Sequence, residues 1–223
     1  MSASQPRAHD LAAGDSLVPA WLKELGRALL GPIVRLALRL HVSPNVITVL
    51  GFLIVLAGAA VIGLGYLLVG AAILVGGSAL DAVDGALARA RGGGTAFGSF
   101  LDSTLDRAGE AVVYGGVAAY FLATSPNPTW PVLAVILALA GSFMVSYSRA
   151  RAEGIGLSAS IGLAPRTERV ILIVAGLALA GIGFAPALSG ALWVIAGLTV
   201  ATTAQRIWHV WRLTEATSTS EHP

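Results

Sequence analysis

The stretch from residue 40 to residue 80 reads LHVSPNVITVLGFLIVLAGAAVIGLGYLLVGAAILVGGSAL and contains no Lys, Arg, Asp or Glu. It is about twice as long as the ~20 residues that one bilayer-spanning helix needs. Gly63, Leu64 and Gly65 interrupt it near its middle, and paired glycines at such a position are typical of a turn. We therefore predict a hairpin of two transmembrane helices.

Two further stretches have the same organisation. Residues 111–148 and 170–205 also lack charged side chains, and breaks rich in Pro or Gly interrupt them at 125–128 and 181–186. Three hairpins predict an all-α integral membrane protein with six transmembrane helices. The predicted spans are 44–64, 69–91, 96–123, 129–153, 165–182 and 188–211.

The composition agrees with this fold class. Apolar residues make up 56% of the chain and charged residues only 12%, whereas a soluble domain carries about 25% charged residues. A water-soluble enzyme is therefore excluded. The chain contains no Cys, so disulfides, thiolate metal sites and cysteine nucleophiles are excluded as well.

The basic residues indicate the topology. None of the 14 Lys and Arg residues lies in the three predicted breaks, so all of them fall on the opposite side of the membrane. Because basic loops face the cytoplasm, we expect a multi-pass protein of the cell membrane with both termini cytoplasmic. The first 18 residues lack the apolar core of a cleavable signal peptide. The basic pI follows from this topology, so no nucleic-acid partner is expected.

The ends of the chain differ from the membrane domain predicted over 19–212. Residues 1–18 and 213–223 are polar and predicted to be disordered tails. Between the first tail and the first span, residues 20–40 form an amphipathic pattern with charged side chains on one face. This pattern favours an interfacial helix against lipid headgroups, although packing into the core is the alternative.

The segment 81–106 carries the candidate chemistry and reads DAVDGALARARGGGTAFGSFLDSTLD. Asp81 and Asp84 are three residues apart, and Asp102 and Asp106 are four apart, so each pair shares one helical face. Because the glycines at 92–94 reverse the chain, we expect the two pairs to face each other near the membrane edge.

Four carboxylates in a low-dielectric setting require positive charge nearby. Hard oxygen ligands favour Mg²⁺, Mn²⁺ or Ca²⁺, and two divalent ions suit a phosphoryl displacement. The alternative is neutralisation by the neighbouring Arg89, Arg91 and Arg107. Gly85 and Gly98 favour a binding site, because a missing side chain lets a ligand or a neighbouring helix approach closely.

The spacing of eight residues in this segment resembles the signature of the CDP-alcohol phosphotransferase family: Asp81-x-x-Asp84-Gly85-x-x-Ala88-Arg89, then Gly98-x-x-x-Asp102-x-x-x-Asp106. The resemblance extends over residues 20–212. It implies that an alcohol attacks the β-phosphorus of a CDP-linked lipid, CDP-diacylglycerol, and that CMP leaves. It also implies a homodimer.

The resemblance implies roles for matching positions. Metal binding falls to Asp81, Asp84, Asp102 and Asp106, of which Asp106 is also the general base. Two Mg²⁺ ions are expected, with Mn²⁺ as the alternative. The CDP part of the lipid is expected to contact Asn45, Thr48, Gly85, Arg89 and Thr95. For Ser43 and Asn45, the residues alone also suggest simple capping of the first helix.

A second polar group, which includes Arg166, marks the acceptor site. Its candidate phosphate ligands are Ser146, Arg149, Arg151, Arg169 and Arg206. Clustered arginines suit a phosphate dianion, whereas the positive-inside rule alone is the alternative reason for their presence. The segments around these residues look like the phosphatidylinositol-phosphate synthase branch, which implies inositol 1-phosphate as acceptor. Glycerol 3-phosphate, and hence a phosphatidylglycerophosphate synthase, is the competing interpretation.

Two other classes use intramembrane carboxylates. A prenyltransferase needs aspartate-rich runs of different spacing, and a metal transporter places carboxylates near the bilayer midplane. Here the carboxylates lie at predicted helix ends beside Arg89 and Arg91, which favours catalysis at the membrane surface.

Overall fold

A computed structural model describes residues 31–220, and the side chains of residues 31–215. The predicted tail 1–18 and most of the predicted interfacial helix 20–40 lie outside the described residues, as do residues 221–223. The regular secondary structure of the described part is entirely helical, without strands. Its first helical segment, 31–39, is α1.

Six longer helices follow α1 in the described chain. Their bounds are α2 (Pro44–Gly63), α3 (Leu67–Ala90), α4 (Ala96–Thr124), α5 (Thr129–Glu153), α6 (Arg166–Gly181) and α7 (Pro186–Ser220). The predicted spans agree with α2 through α6 to within two residues at each end. The predicted helices are therefore confirmed, apart from the end of the last one.

The last helix is longer than expected. We predicted a span ending at residue 211 and a disordered tail from residue 213, but α7 continues to Ser220. Local contacts support this extension, since the Arg212 guanidinium lies 5.7 Å from the centroid of the Trp208 ring one turn earlier. The Thr214 hydroxyl also donates to the Val210 carbonyl at 3.2 Å. A polar composition alone therefore misjudged where the helix ends.

The six long helices pack as a ring. Going round it, α2 contacts α3, α3 contacts α6, α6 contacts α7, α7 contacts α5, α5 contacts α4, and α4 returns to α2. All six contribute side chains to one apolar core, among them the fully buried Ile62, Val117 and Leu177. The ring order differs from the chain order, so α6 lies beside α3 although two helices separate them in sequence.

Four of the described helices, α2, α3, α5 and α7, are long and apolar enough to cross a bilayer. Of the other two, α4 carries its charged residues in its first half, and α6 has only 16 residues. The described chain is thus an all-helical membrane protein, in which α4 misses the simple criterion because it carries charged residues and α6 because it is short.

The turn between α3 and α4 forms as predicted. Gly92 and Gly93 adopt φ values of 91° and 122°, which favour glycine. Thr95 then begins α4, because its hydroxyl oxygen accepts a hydrogen bond from the Gly98 N–H at 3.0 Å. This turn brings the first residues of α4 back toward the last residues of α3.

The contact between α2 and α4 depends on a glycine. A Cβ atom at Gly116 would overlap the Ala59 carbonyl oxygen, whereas a Cβ at the adjacent Gly115 would meet nothing within 4 Å. The two backbones therefore approach closely at Gly116, as small residues allow in membrane helix pairs.

We predict that Gly116→Ala lowers the stability of the purified protein by about 1–3 kcal/mol, the usual cost of overpacking a core. Thermal unfolding in detergent measures the effect, and Gly115→Ala is the matched control. Equal melting temperatures for the two variants would contradict the close approach.

Candidate active site

Arg166, the first residue of α6, joins the two predicted aspartate pairs. Its Nη2 lies 2.9 Å from Asp81 Oδ2 on α3, and its Nη1 lies 2.8 Å from Asp106 Oδ1 on α4. The aspartate side chains are 25% and 17% exposed, so both ion pairs are partly shielded from solvent. One guanidinium thus contacts one carboxylate from each pair.

The other two aspartates lie beside the first two. Asp84 is buried and accepts a 2.7 Å hydrogen bond from the Thr48 hydroxyl on α2. Asp102 interacts electrostatically with Asp81, Asp84 and Asp106. The four carboxylates therefore belong to one electrostatic cluster at the ends of α3 and α4.

This cluster has the donor chemistry of a divalent-cation site. All four side chains offer hard carboxylate oxygens, and a positive group, Arg166, already lies between two of them. Within the described residues, no three acidic or imidazole side chains converge on a single point as metal ligands do. The carboxylate oxygens suit a cation, and the Arg166 guanidinium occupies the space between Asp81 and Asp106.

A cleft of about 480 Å³ lies beside Asp84 and Asp102, between the starts of α2 and α4. Of the predicted CDP contacts, Asn45, Thr48, Gly85 and Thr95 line it. A Cβ at Gly98 would lie only 3.0 Å from Asn45 Oδ1, so this glycine does permit close approach of a neighbouring helix.

Arg89, the fifth predicted CDP contact, does not line the cleft. A Cβ at Gly85 would lie 3.4 Å from Arg89 Nη1, so the guanidinium is folded back along α3 toward the preceding turn. Arg91 lines the cleft instead. Both arginines are close enough in sequence to serve as a CDP contact. Because α3 ends at Ala90, Arg91 lies just outside the helix, at the start of the glycine turn.

A second, larger cavity of about 960 Å³ opens between α4, α5 and the start of α6. Asp106 and Arg166 line it, together with the predicted acceptor residues Ser146 and Arg149. Arg149 is half-exposed, and its Nε donates to Glu153 at 2.8 Å on the same helix. Ser99 lines both this cavity and the cleft, so the two spaces adjoin.

The remaining predicted acceptor residues lie outside the lining of this cavity. Arg151 is exposed on the last turn of α5. Arg206 on α7 is buried and donates from Nε to the Ile161 carbonyl at 2.8 Å, and from Nη1 to the Val145 carbonyl. Its guanidinium is thereby engaged by backbone oxygens.

Arg169 is also engaged within the protein. Its Nη2 lies 2.7 Å from Glu110 Oε1, its Nε lies 3.0 Å from the same oxygen, and Nη1 donates to the Ala164 carbonyl at 2.8 Å. The side chains are 3% and 9% exposed. Arg169 and Glu110 therefore form a buried ion pair one turn deeper than Arg166 and Asp106.

An apolar groove of about 680 Å³ leads away from Asp81 and Arg166 along the outer surface between α3 and α6. Below the two charged residues, its walls are mostly aliphatic, as at Val75, Val170 and Val174. The groove thus connects the charged cluster with the lipid-facing surface.

The comparison with known families decides the identity. A family model described as CDP-alcohol phosphatidyltransferase matches residues 41–206. The chain belongs to this family. The match spans the aspartate cluster, the cleft, the second cavity and every predicted site residue.

Related members of this CDP-alcohol phosphatidyltransferase family have names that specify an acceptor. The archaetidylinositol phosphate synthase of Methanothermobacter thermautotrophicus is 40% identical over 155 residues, covering 67% of this chain and 75% of its own. The phosphatidylinositol phosphate synthase of Mycobacterium marinum is 37% identical over 190 residues, covering 83% of this chain and 81% of its own.

Solved structures agree with the fold of this family member. The phosphatidylinositol phosphate synthase of Mycobacterium tuberculosis with CDP-DAG bound is 37% identical, with a TM-score of 0.77 over 82% of this chain and 94% of that one. The same enzyme in complex with manganese and citrate gives a TM-score of 0.76 at 37% identity, over 82% and 88% of the two chains.

Sequence reasoning missed two partners in the site of this phosphatidyltransferase. Arg166 was grouped with the acceptor arginines without its aspartate contacts, and Glu110 had no assignment. Glu110 lies four residues after Asp106, so the i, i+4 spacing places it on the same face of α4. That spacing continues the Asp102 and Asp106 series and was the available signal.

We predict that Glu110→Ala destabilises the protein by about 3 kcal/mol or more, because it leaves the buried Arg169 guanidinium without its carboxylate. Thermal unfolding in detergent measures the change. The matched control is Glu153→Ala, which breaks the exposed pair with Arg149 and leaves the melting temperature nearly unchanged. Similar losses in both variants would contradict the burial of the Arg169 pair.

Proposed function

We propose that this protein transfers the phosphatidyl group of CDP-diacylglycerol to a hydroxyl of inositol 1-phosphate and releases CMP. One observation carries the proposal. Two signature aspartates, Asp84 and Asp102, line the cleft of predicted CDP contacts, and a third, Asp106, lines the adjoining larger cavity together with Arg149 and Arg166. A donor bound in the cleft and an acceptor bound in the cavity would therefore lie next to each other, with signature aspartates in both spaces.

The names of similar proteins support both substrates. A structure titled with bound CDP-DAG supports the donor, and relatives named phosphatidylinositol phosphate synthase support the phosphorylated inositol. The arginines support a phosphorylated acceptor independently, because a guanidinium fork pairs with phosphate oxygens.

The donor is expected to bind across the cleft and the groove. Asn45, Thr48, Gly85 and Thr95 contact the CDP part, and Arg91 takes the role that the family resemblance suggested for Arg89. The two glycines at 93 and 94 leave room for the nucleotide beside the backbone. An acyl chain suits the groove between α3 and α6, because that groove is apolar and reaches the cluster.

Asp81, Asp84, Asp102 and Asp106 are the residues that would hold the divalent cations, which we propose to be two Mg²⁺ ions, with Mn²⁺ as the alternative. Bound there, such ions supply positive charge to the pyrophosphate and its leaving group. The manganese complex of the mycobacterial relative supports the use of divalent metal. Thr48 orients Asp84 through its 2.7 Å hydrogen bond.

Asp106 is the proposed general base. It faces the acceptor cavity, and a proton moves from the acceptor hydroxyl to a carboxylate only when the two are within hydrogen-bond reach. As the hydroxyl oxygen bonds to the β-phosphorus, the bond from that phosphorus to the oxygen bridging to CMP breaks. Arg166 keeps Asp106 fixed through its 2.8 Å contact.

Ser146 and Arg149 are the proposed ligands of the acceptor phosphate, since both line the cavity. Arg166 lines it as well, with its two Nη atoms held by Asp81 and Asp106. Arg169 and Arg206 support it from outside the lining by holding α6 and the segment before it. Arg151 has no role in this proposal because it is exposed away from the cavity.

We further propose that α4 and α6 also cross the bilayer, giving six transmembrane helices in the domain 19–212. Both helices pack between helices that meet the length and hydropathy criterion. The absence of Lys and Arg from residues 64–66, 125–128 and 182–185 supports a cytoplasmic site with both termini on that side. A homodimer is expected from the family resemblance.

The deciding experiment measures CMP release by the purified protein from CDP-diacylglycerol and Mg²⁺, with inositol 1-phosphate, glycerol 3-phosphate, free inositol and serine supplied separately. Release with inositol 1-phosphate alone is the expected result, and chelation of the metal abolishes it. Asp102→Asn is the inactive control, expected to fold normally. Release with glycerol 3-phosphate alone makes the protein a phosphatidylglycerophosphate synthase.

A second prediction separates the arginines of α5. Arg149→Ala is expected to raise the KM for the phosphorylated acceptor about tenfold, and to change the KM for CDP-diacylglycerol little, because one charged contact to phosphate is lost. Arg151→Ala is the matched control and leaves both KM values close to those of the unaltered protein. If the KM for CDP-diacylglycerol rises more than the KM for the acceptor, Arg149 belongs to the donor site instead.

A further inference from the structure

Thr202 on α7 contacts the segment that leads into α6. Its hydroxyl oxygen accepts two successive backbone N–H groups, that of Leu163 at 3.1 Å and that of Ala164 at 3.0 Å. Thr202 and Ala164 are both fully buried. A hydroxyl oxygen has two lone pairs, so these two N–H groups use its full accepting capacity.

The shape of Thr202 fits the same segment. Gly162 adopts φ +136°, and a Cβ atom there would overlap the Thr202 methyl group. The backbone therefore lies directly against the threonine side chain. Arg206, one turn later on α7, donates to the Ile161 carbonyl at 2.8 Å and so holds the start of this segment.

These contacts matter because α6 begins without a side-chain cap of its own. Its N-cap residue is Pro165, which makes no capping hydrogen bond. Ala164 is held at its N–H by Thr202 and at its carbonyl by Arg169 Nη1, which lies 2.8 Å away. Pro165 and Arg166 follow directly, so the fixed backbone of Ala164 determines where the Arg166 side chain starts.

We propose that Thr202 is a positioning residue for the acceptor site. It fixes residues 162–164 from α7, and through them it sets the position of Arg166 and Arg169. Thr202 touches neither substrate in this arrangement. The kinetic consequence of this inference rests on the proposed function. The structural claim, that Thr202 holds the Leu163 and Ala164 N–H groups, does not depend on it.

The first test is kinetic. Thr202→Val keeps a branched side chain but removes the acceptor oxygen, and we expect the KM for inositol 1-phosphate to rise about tenfold. The KM for CDP-diacylglycerol is expected to change by only about twofold, since residues 162–164 line neither the cleft nor the groove and Arg166 borders only the charged end of the groove. Thr202→Ser retains the oxygen and restores the acceptor KM. The matched control is Thr203→Val, which loses only a bond to the Thr199 carbonyl within α7.

The second test measures hydrogen–deuterium exchange of the Leu163 and Ala164 amides in detergent and needs no activity. Exchange in Thr202→Val is expected to accelerate about tenfold or more, because the protecting acceptor is gone. Thr202→Ser and Thr203→Val retain slow exchange. If Thr202→Val does not fold, Thr202→Cys replaces it, since a thiol is a weak acceptor.

The outcomes separate the two proposals. Absence of CMP release by the unaltered protein with every acceptor overturns the proposed function, and the exchange data still decide the role of Thr202 in holding the segment. Unchanged exchange in Thr202→Val overturns the inference. Equal increases in both KM values, or a Thr202→Ser variant as impaired as Thr202→Val, overturn its link to the acceptor site.

Discussion

The contact of Arg166 with Asp81 and Asp106 is the interaction on which the site depends. Carboxylates at the ends of membrane helices are costly unless positive charge lies nearby, and here one guanidinium serves two of them from a third helix. That requirement fixes the start of α6 against the ends of α3 and α4. The ring order, in which α6 contacts α3, satisfies it. The need to neutralise the acidic cluster therefore also constrains how the helices are arranged.

Much of the fold follows from local signals. Charge-free stretches with central breaks predicted the bounds of α2 through α6 to within two residues, because breaker residues and charges mark where apolar helices end. The aspartate cluster was likewise predictable, since spacings of three and four place side chains on one face. The predicted end of α7 was wrong, because a polar composition does not distinguish a solvent-exposed helix from a disordered tail. Residues 213–220 continue the helix beyond the apolar part.

The partners of the arginines were beyond the reach of the sequence. Arg149, Arg169 and Arg206 look alike as basic residues near predicted helix ends. In the structure, Arg149 pairs with Glu153 on its own helix, Arg169 pairs with a buried Glu110, and Arg206 binds backbone carbonyls. Arg169 and Glu110 are 59 residues apart in the sequence, and Arg206 and Ile161 are 45 residues apart. Only the ring order determines them, and no local pattern contains that order.

Different sets of helices in the ring line the two spaces. The cleft is built from the starts of α2 and α4 and the end of α3, whereas α4, α5 and Arg166 at the start of α6 line the second cavity. Substitutions on α5 can therefore reshape the second cavity without altering a residue that lines the cleft. Under the proposed function, the acceptor end can therefore diversify in evolution while the nucleotide end stays constant. The helix ring separates the part of the enzyme free to vary from the part that the shared donor holds fixed.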